Sequence, residues 1–308
     1  MTLQQLRYLC EVARRGLSVS DAAVALHTSQ PGISKQVLAL EEELGVQVFV
    51  RRGKRLVDIT PAGKKLVAIA EQVLADANNL KRAALDLQDD KVGEMVIATT
   101  HTQARYLLPK VIPVFLKRFP KVSLFIHQGN PMQVAAEVAA GRADLGIATE
   151  YLDHVPELVT LPLYAWNRVV VAQKGHPILD KRKLTLADIA AYPLVSYDIS
   201  MTGRGAMNAA FTAKGLTPTF VLSAMDSDVI KTYVELGIGI GLLAEMAFDA
   251  KTDTKLGVIS AKHLFAESVT KIALKRNGFS RGYTYALIEL LAPALTKNAV
   301  DAAMLGST

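Results

Sequence analysis

The chain has 308 residues, half of them hydrophobic, so it is long enough for two or three domains and too apolar for a disordered protein. Thirty-five lysines and arginines against 29 aspartates and glutamates give a mildly basic net charge of +6. This charge indicates a binding partner only where the positive residues cluster in the sequence. The longest uncharged run, residues 122–136, is too short and too polar to span a membrane, which requires about 20 mostly apolar residues.

The first 45 residues contain three segments with helical spacing of apolar side chains. The first segment ends at Gly16, and the second is predicted over residues 21–26. The third helix begins after a capping residue, Thr28 or Ser29, and ends at Gly45, a residue type that favours the position after a helix.

Two short apolar strands, residues 46–50 and 56–59, follow the third helix and predict a hairpin. Four positive residues surround one glycine in its turn: Arg51, Arg52, Lys54 and Arg55. Three helices followed by a basic hairpin predict a winged helix-turn-helix fold, in which the third helix lies in the major groove of DNA.

The start of the third helix carries side chains that can contact base edges. Gln30 can pair with adenine through two hydrogen bonds, Lys35 favours guanine or a phosphate, and Pro31 offers an apolar face to a thymine methyl group. The predicted DNA contacts are Ser29, Gln30, Pro31, Ser34 and Lys35 on the helix, with Arg51, Arg52, Lys54 and Arg55 on the wing. Each residue alone is better explained as ordinary surface, but the set in this order favours DNA binding.

Residues 61–88 show a sustained heptad pattern, which predicts a helix about 40 Å long. The seam consists of Leu66, Ala70, Val73, Ala77, Leu80, Ala84 and Leu87. The helix could pack on its own domain. We favour a seam between protomers, because a long helix between two domains has little intramolecular surface to cover, and we therefore expect an even-numbered oligomer.

Strands and helices alternate over residues 93–300, which predicts successive βαβ units and a mostly parallel sheet. The pattern divides into two similar α/β lobes with a ligand cleft between them. The predicted domains are a DNA-binding domain over 1–60, a linker helix over 61–90 and an effector domain over 91–308. Within the effector domain, the first lobe takes 91–163 and 265–300, and the second takes 164–264.

Polar residues stand at strand–helix junctions of both predicted lobes. A helix N-terminus offers unpaired N–H groups and partial positive charge, so it can hold an anion with help from hydroxyl groups. The residues at these junctions are Thr100, Thr102 and Gln103, then Thr149, and then Thr202 with Gly203. The alternative is that these threonines are only helix caps. Their presence in both lobes favours a site.

Several stretches resemble a known family. Residues 4–63 resemble the DNA-binding domain of LysR-type transcriptional regulators. Four later stretches resemble the CysB/Cbl branch of that family, which controls sulfur assimilation: IATTHTQARYLLPKVI, ADLGIATE, WNRVVVAQKGHP and DSDVIKTYVELGIGIGLLA. The resemblance implies a dimerising linker helix, two Rossmann-like lobes similar to periplasmic binding proteins, and a homodimer or homotetramer that binds promoter DNA and RNA polymerase.

The same resemblance implies an effector site. It implies that an anion is contacted by Thr100, Thr102, Gln103, Thr149 and Thr202, with Trp166 nearby. Effectors of the branch are acetylated serines, sulfate, sulfide or a related sulfur anion. A site of hydroxyls and amides without an obligatory arginine should bind weakly and reversibly. The stretch over residues 196–211 matches neither CysB nor Cbl, which leaves the identity of the effector open but not its class.

The sequence predicts no catalytic residues, metal or cofactor. Gly237, Gly239 and Gly241 resemble a dinucleotide loop, but Leu242 replaces the third glycine and the loop follows a helix. The six histidines show no paired ligand spacing. The single cysteine and the absence of an apolar leader indicate a cytoplasmic location. A regulator of an unrelated pathway, and an enzyme or solute carrier on the same scaffold, remain as alternatives.

Overall fold

The computed structural model describes residues 1–53, 55–88, 91–200 and 203–306. Contacts within the chain divide it into two compact units, Met1–Leu85 and Asp86–Thr308. The elements that begin in the first unit are α1 (Leu3–Arg14), α2 (Val19–Ala25), α3 (Gln30–Leu44), β1 (Phe49–Arg52), β2 (Arg55–Ile59) and α4 (Pro61–Gln88). Within the described ranges, none of the helices has both the length and the apolar character that crossing a membrane requires.

The bounds of α3 follow from its end residues. The Ser29 hydroxyl accepts a hydrogen bond from the Gly32 N–H at 3.2 Å, so Ser29 is the N-cap. Gly45 ends the helix with φ at +66°, a conformation that glycine adopts without a steric penalty. Between these ends, Ile33 and Leu40 are fully buried against α1 and α2. The winged helix-turn-helix architecture predicted from the sequence is confirmed.

The wing begins later in the chain than the sequence indicates. The expected strand over residues 46–50 is wrong at its start, because the buried Glu41 carboxylate accepts the Val48 and Phe49 N–H groups at 2.7 and 3.0 Å. Strand pairing then extends to Arg52 opposite Arg55. Two of the basic residues predicted in the turn therefore belong to β1, and Lys54 lies outside the described residues.

The first half of α4 packs on its own unit. Leu66, Ala70 and Val73 contact the apolar core formed by α1, α2 and α3, so at these positions the helix packs on its own domain, as the alternative interpretation of the sequence allows. The amphipathic face covers the neighbouring helices, which the sequence pattern alone could not locate. Further along, Leu80 is 74% exposed and remains available for a partner, while the Leu87 side chain lies outside the described residues.

The second unit contains two five-stranded sheets. The first lobe holds β3 (Val92–Thr99), α5 (His101–Tyr106), α6 (Ile112–Arg118), β4 (Lys121–Gln128), α7 (Pro131–Ala139), β5 (Leu145–Ala148) and β6 (Leu158–Trp166). The second lobe holds β7 (Arg168–Gln173), α8 (Leu186–Ala190), β8 (Leu194–Tyr197), α9 (Arg204–Thr212), β9 (Phe220–Ala224), α10 (Ser227–Glu235), β10 (Ile240–Ala244) and β11 (Leu256–Ser260). The chain then returns to the first lobe with β12 (Ser268–Lys275), α11 (Gly282–Leu291) and α12 (Lys297–Met304).

Both sheets are mixed, but four of the five strands in each run in the same direction, in agreement with the predicted mostly parallel sheet. The strand orders are β4-β3-β5-β12-β6 and β11-β7-β10-β8-β9. In each sheet two of the four strand pairings are parallel and two are antiparallel, because one strand, β12 in the first sheet and β7 in the second, runs opposite to the other four. The chain passes between the lobes at Asn167 and again over residues 261–267.

Strand β6 was not predicted from the sequence, because Pro162 interrupts its pattern. Proline is tolerated there since β6 lies at the edge of its sheet. The strand runs through Tyr164 to Trp166, so the lobe boundary drawn at residue 163 falls inside it. Each sheet is covered by apolar clusters on both faces, which leaves the ends of its strands free to carry polar side chains.

The start of α4 lies in close contact with the wing. Thr60 accepts the Gly63 N–H at 2.8 Å and donates to the Gln47 carbonyl at 2.7 Å. A Cβ atom at Gly63 would lie 2.2 Å from the Val48 carbonyl oxygen, so only glycine fits this approach of two backbones.

We predict that Gly63→Ala destabilises the first unit. The backbone displacement should outweigh the higher helix propensity of alanine and lower the free energy of unfolding by about 1–3 kcal/mol. Denaturant unfolding of the full chain followed by circular dichroism measures this change. Gly205→Ala is the matched control, because nothing lies within 4 Å of a Cβ at that helical glycine. Equal stability of the two variants would contradict the close approach.

Candidate functional site

The surface at the start of α3 presents the side chains predicted to contact DNA. Ser29, Gln30, Pro31 and Lys35 are exposed, and Ser34 is half-buried. The Gln30 side-chain amide donates to the Ser20 hydroxyl of α2 at 2.8 Å. That hydrogen bond holds the amide in place at the helix start while its other polar groups stay accessible to a base edge.

The wing contributes three exposed arginines to the described surface, Arg51, Arg52 and Arg55. They differ in their contacts, because Arg51 pairs with the Glu41 carboxylate at 2.7 Å. Glu41 thus binds the wing to α3 through one side chain and two backbone groups. Sequence reasoning missed Glu41, since nothing in the pattern distinguishes it from its exposed acidic neighbours.

A polar crevice lies between the two lobes of the second unit. It has about 310 Å³ of empty space, part of it open to solvent. Seven residues line it: Thr100, Thr102, Gln103, Thr149, Trp166, Tyr197 and Ala244. We call this the threonine crevice. Five of the seven positions predicted from the sequence for effector binding therefore lie together, and Thr202 lies outside the described residues.

The strand ends explain this convergence. Thr100 and Thr149 each follow the last residue of a parallel strand in the first lobe, and Tyr197 ends a strand in the second. The carboxyl ends of parallel strands open toward the crevice of an α/β fold. Tyr197 was missed in the sequence, although the pattern over residues 194–197 predicts a strand that ends at this residue, which was a usable signal.

Hydrogen bonds fix most of the polar groups in the threonine crevice. The Thr149 hydroxyl pairs with that of Thr270 at 3.1 Å, and the Trp166 indole N–H donates to the same Thr270 oxygen at 3.1 Å. The Tyr164 hydroxyl donates to the Gln103 side-chain oxygen. Burial raises the pKa of Tyr164, so this hydroxyl remains a hydrogen-bond donor at neutral pH.

Thr100 stands at the N-cap of α5, but its hydroxyl makes no capping hydrogen bond. The alternative that this threonine is only a helix cap is therefore wrong for its side chain. Since Thr100 is 4% exposed, its hydroxyl is held in the crevice without the usual local partner. Helix α5 has only six residues, so hydroxyl groups rather than a helix dipole dominate this side of the crevice.

Gly203 lies next to the threonine crevice in an adjoining cavity, which Tyr197 also lines. This second cavity contains Arg168, a buried residue that the sequence pattern does not distinguish as part of a site. Its guanidinium lies 5.2 Å from the Trp166 ring. Arg168, the first residue of β7, does not line the threonine crevice itself, but it brings a positive charge to the adjoining cavity.

A second set of contacts between the lobes involves charged groups. The Tyr106 hydroxyl of α5 donates to the Asp228 carboxylate of α10 at 2.6 Å, and Arg105 lies 3.2 Å from the same carboxylate. Lys231 bridges Asp228 and the buried Asp253 at 3.3 and 2.9 Å. Burial raises the pKa of Asp228, but the Tyr106 hydrogen bond and the Lys231 charge outweigh it, so the pKa lies below its usual range.

Comparison with known proteins matches both units. The profile described as bacterial regulatory helix-turn-helix protein, lysR family, matches residues 3–64, and that of the LysR substrate binding domain matches residues 88–296. The HTH-type transcriptional regulator SsuR of Burkholderia cenocepacia is 50% identical over 297 residues, which are 96% of each chain. The regulator CysB of the same organism is 46% identical over 306 residues, 99% of this chain and 98% of the relative.

A solved structure is also similar to the second unit. The crystal structure of the cofactor-binding domain of the Cbl transcriptional regulator aligns with a TM-score of 0.66 and 42% identity. The alignment covers 69% of this chain and 93% of the solved Cbl domain. The two-sheet architecture described above is therefore shared with a regulator of the same type.

We predict that Asp228→Asn weakens the contact between the lobes at neutral pH. A charged hydrogen bond contributes about 1.5–3 kcal/mol, and partial exposure reduces this to about 1 kcal/mol, or about 2–4 °C in Tm. Because the folded pKa is lowered, the stabilisation is present above the unfolded pKa of about 3.9 and is lost as pH falls below it. The Tm difference from wild type should therefore narrow in acid.

Thermal unfolding between pH 3 and 7 measures this difference. Asp180→Asn removes the same charge from an exposed position of the second lobe and serves as the control. A Tm difference that is absent at pH 7, or that does not change with pH, would contradict a stabilising role for the ionised carboxylate.

Proposed function

The chain belongs to the LysR family of transcriptional regulators, and we propose that it regulates sulfur-assimilation genes in response to a small anion held in the threonine crevice. SsuR and CysB are transcriptional regulators, and both are similar to this chain over nearly its full length. This similarity supports a regulatory rather than an enzymatic role. The single observation that carries the effector proposal is the convergence of buried hydroxyl and amide groups of the first lobe, with the half-buried Tyr197 of the second lobe lining the same crevice.

DNA binding is proposed for the exposed face at the start of α3 together with the wing. Gln30 and Lys35 offer hydrogen bonds to base edges, and the wing arginines offer positive charge to phosphates. Arg52 and Arg55 lie opposite each other at the end of the hairpin. Base contacts would set the sequence preference, whereas the arginines would add affinity for any duplex.

Effector binding is proposed for Thr100, Thr102, Gln103 and Thr149, with Thr202 as a further contact implied by the family resemblance. Hydroxyls and amides that are already buried and oriented bind an anion without much reorganisation. Sulfate and the acetylated serines fit this chemistry. Coupling between effector and DNA sites is typically about 1–3 kcal/mol, so the effector would change promoter affinity modestly.

Assembly into a dimer or tetramer is proposed through the second half of α4, where Leu80 and Ala84 of the predicted seam are exposed. RNA polymerase is the proposed partner at the promoter. A soluble cytoplasmic location accords with a DNA-binding role.

We predict different effects of two DNA-contact variants. Gln30→Ala should reduce the preference for a sulfur-assimilation promoter over random duplex, because a base contact contributes about 1–3 kcal/mol of discrimination. Arg55→Ala should weaken binding to all duplexes about equally and lower the salt slope by about one unit. Gel-shift titration at several salt concentrations measures both effects. Lys214→Ala, which removes an exposed charge from the second unit, is the control. If Gln30→Ala and Arg55→Ala both bind DNA like wild type, the proposed interface is contradicted.

We predict that Thr100→Ala and Thr149→Val lose affinity for sulfate by about 10–100-fold, since each removes a hydrogen bond to a charged ligand. Calorimetry on the full-length chain measures the affinity, and promoter binding without effector should persist. Thr217→Val changes an exposed threonine in the same way and should have no effect. Unchanged sulfate affinity in both crevice variants would refute the site.

A further inference from the structure

Arg168 is the most unusual polar group near the threonine crevice. It is 6% exposed, and its Nη1 group donates to the Ala266 carbonyl at 3.3 Å. Among the described residues, its Nη2 group has no hydrogen-bond partner. The guanidinium also lies 5.2 and 5.8 Å from the rings of Trp166 and Phe265, which hold it in place. A buried charged donor without an acceptor is costly, so this position is suited to an anion.

The unpaired group points at the start of α9. Gly203 is the N-cap of this nine-residue helix and has φ at +78°. A Cβ atom on Gly203 would lie 1.8 Å from Arg168 Nη2, so a side chain at this position would collide with the guanidinium. Glycine thus brings the arginine against a helix N-terminus, and both features favour negative charge.

A carboxylate of the protein already lies at this helix start. Glu150 Oε2 accepts the Gly203 N–H at 2.8 Å. Glu150 follows Thr149 in the first lobe and is itself exposed, so this hydrogen bond joins the two lobes at the solvent boundary. Burial lowers the pKa of Arg168, and the Glu150 charge opposes that shift, which places the carboxylate in the electrostatic range of the guanidinium.

The surroundings leave room for an exchange of carboxylates. Glu150 lines an open depression with about 770 Å³ of empty space, together with Tyr151, Ser200 and Gly205. On the other side, Tyr197 lines both the threonine crevice and the cavity of Arg168. Because Glu150 is exposed, moving its carboxylate into solvent would cost little free energy. Arg168 is buried and stays in its position.

We propose that Arg168 and the Gly203 amide form a carboxylate subsite, which Glu150 fills in the free protein and the carboxylate of a small effector fills on binding. This inference rests on the proposed function of the cleft and specifies the chemistry of its ligand. The effector bears a carboxylate in addition to the polar group held in the threonine crevice. Its carboxylate replaces a hydrogen bond between the lobes with one made through the ligand.

The test compares N-acetylserine with its carboxamide, N-acetylserinamide, by calorimetry on the full-length chain. Wild type should bind the acid at least about tenfold more tightly than the amide, because a charged hydrogen bond contributes about that much. Arg168→Gln should remove the preference, and Arg168→Lys should restore part of it. Glu150→Gln should tighten binding of the acid several-fold and leave the amide unchanged, since a neutral side chain competes less well.

Glu157→Gln is the matched control, because it removes an exposed negative charge of the same lobe away from Gly203. Thermal unfolding checks that each variant is folded. If Arg168→Gln does not fold, the exposed Glu150→Gln variant alone tests whether the carboxylate subsite exists. Binding of the acid that is unchanged by Glu150→Gln, or equal wild-type affinity for acid and amide, overturns the carboxylate subsite.

Sulfate separates this inference from the proposed function. It has no carboxylate, so its affinity should depend on Thr100 and Thr149. Wild type that binds sulfate and promoter DNA but neither acetylserine compound overturns the subsite and leaves the regulatory role intact. Wild type that ignores both promoter DNA and sulfate overturns the proposed function itself.

Discussion

Polar groups buried between two sheets must find hydrogen-bond partners, and this requirement organises the second unit. The two sheets bury their apolar faces separately, so strand ends and helix ends rather than sheet faces meet between the lobes. Thr149, Trp166 and Thr270 satisfy one another in the first lobe. Among the described residues there are two exceptions, His101 Nε2 and Arg168 Nη2, which are buried and have no hydrogen-bond partner. The proposed carboxylate subsite is built on the unsatisfied Nη2 group of Arg168.

A similar requirement organises the first unit. Glu41 is a buried carboxylate that accepts hydrogen bonds from two backbone N–H groups and from Arg51. A buried carboxylate is tolerable when its lone pairs are occupied in this way. Through this one side chain, the helix that presents Gln30 and Lys35 is attached to the strand that carries the wing arginines. The position of the basic wing therefore depends on α3.

Local signals in the sequence were sufficient for some of these features. Ser29 and Gly45 define the ends of α3 through short-range chemistry, and the rule that ligands meet the carboxyl ends of parallel strands locates Thr100 and Thr149. Arg168 could not be found in this way, since its surroundings are assembled from residues distant in the chain. Edge strand β6 was missed because Pro162 is tolerated only at a sheet edge, and edges are a property of the folded sheet.

The contact of Gly63 with Val48 has a mechanical consequence. Two backbones that touch without an intervening side chain leave no flexible atoms to absorb a displacement, so the hairpin and the first turns of α4 should move as one rigid body. A rotation of the long helix would swing Arg52 and Arg55 through the same angle. In a pair of protomers joined along that helix, the crossing angle would then set the distance between the two hairpins, and hence the separation of the phosphate contacts along a duplex.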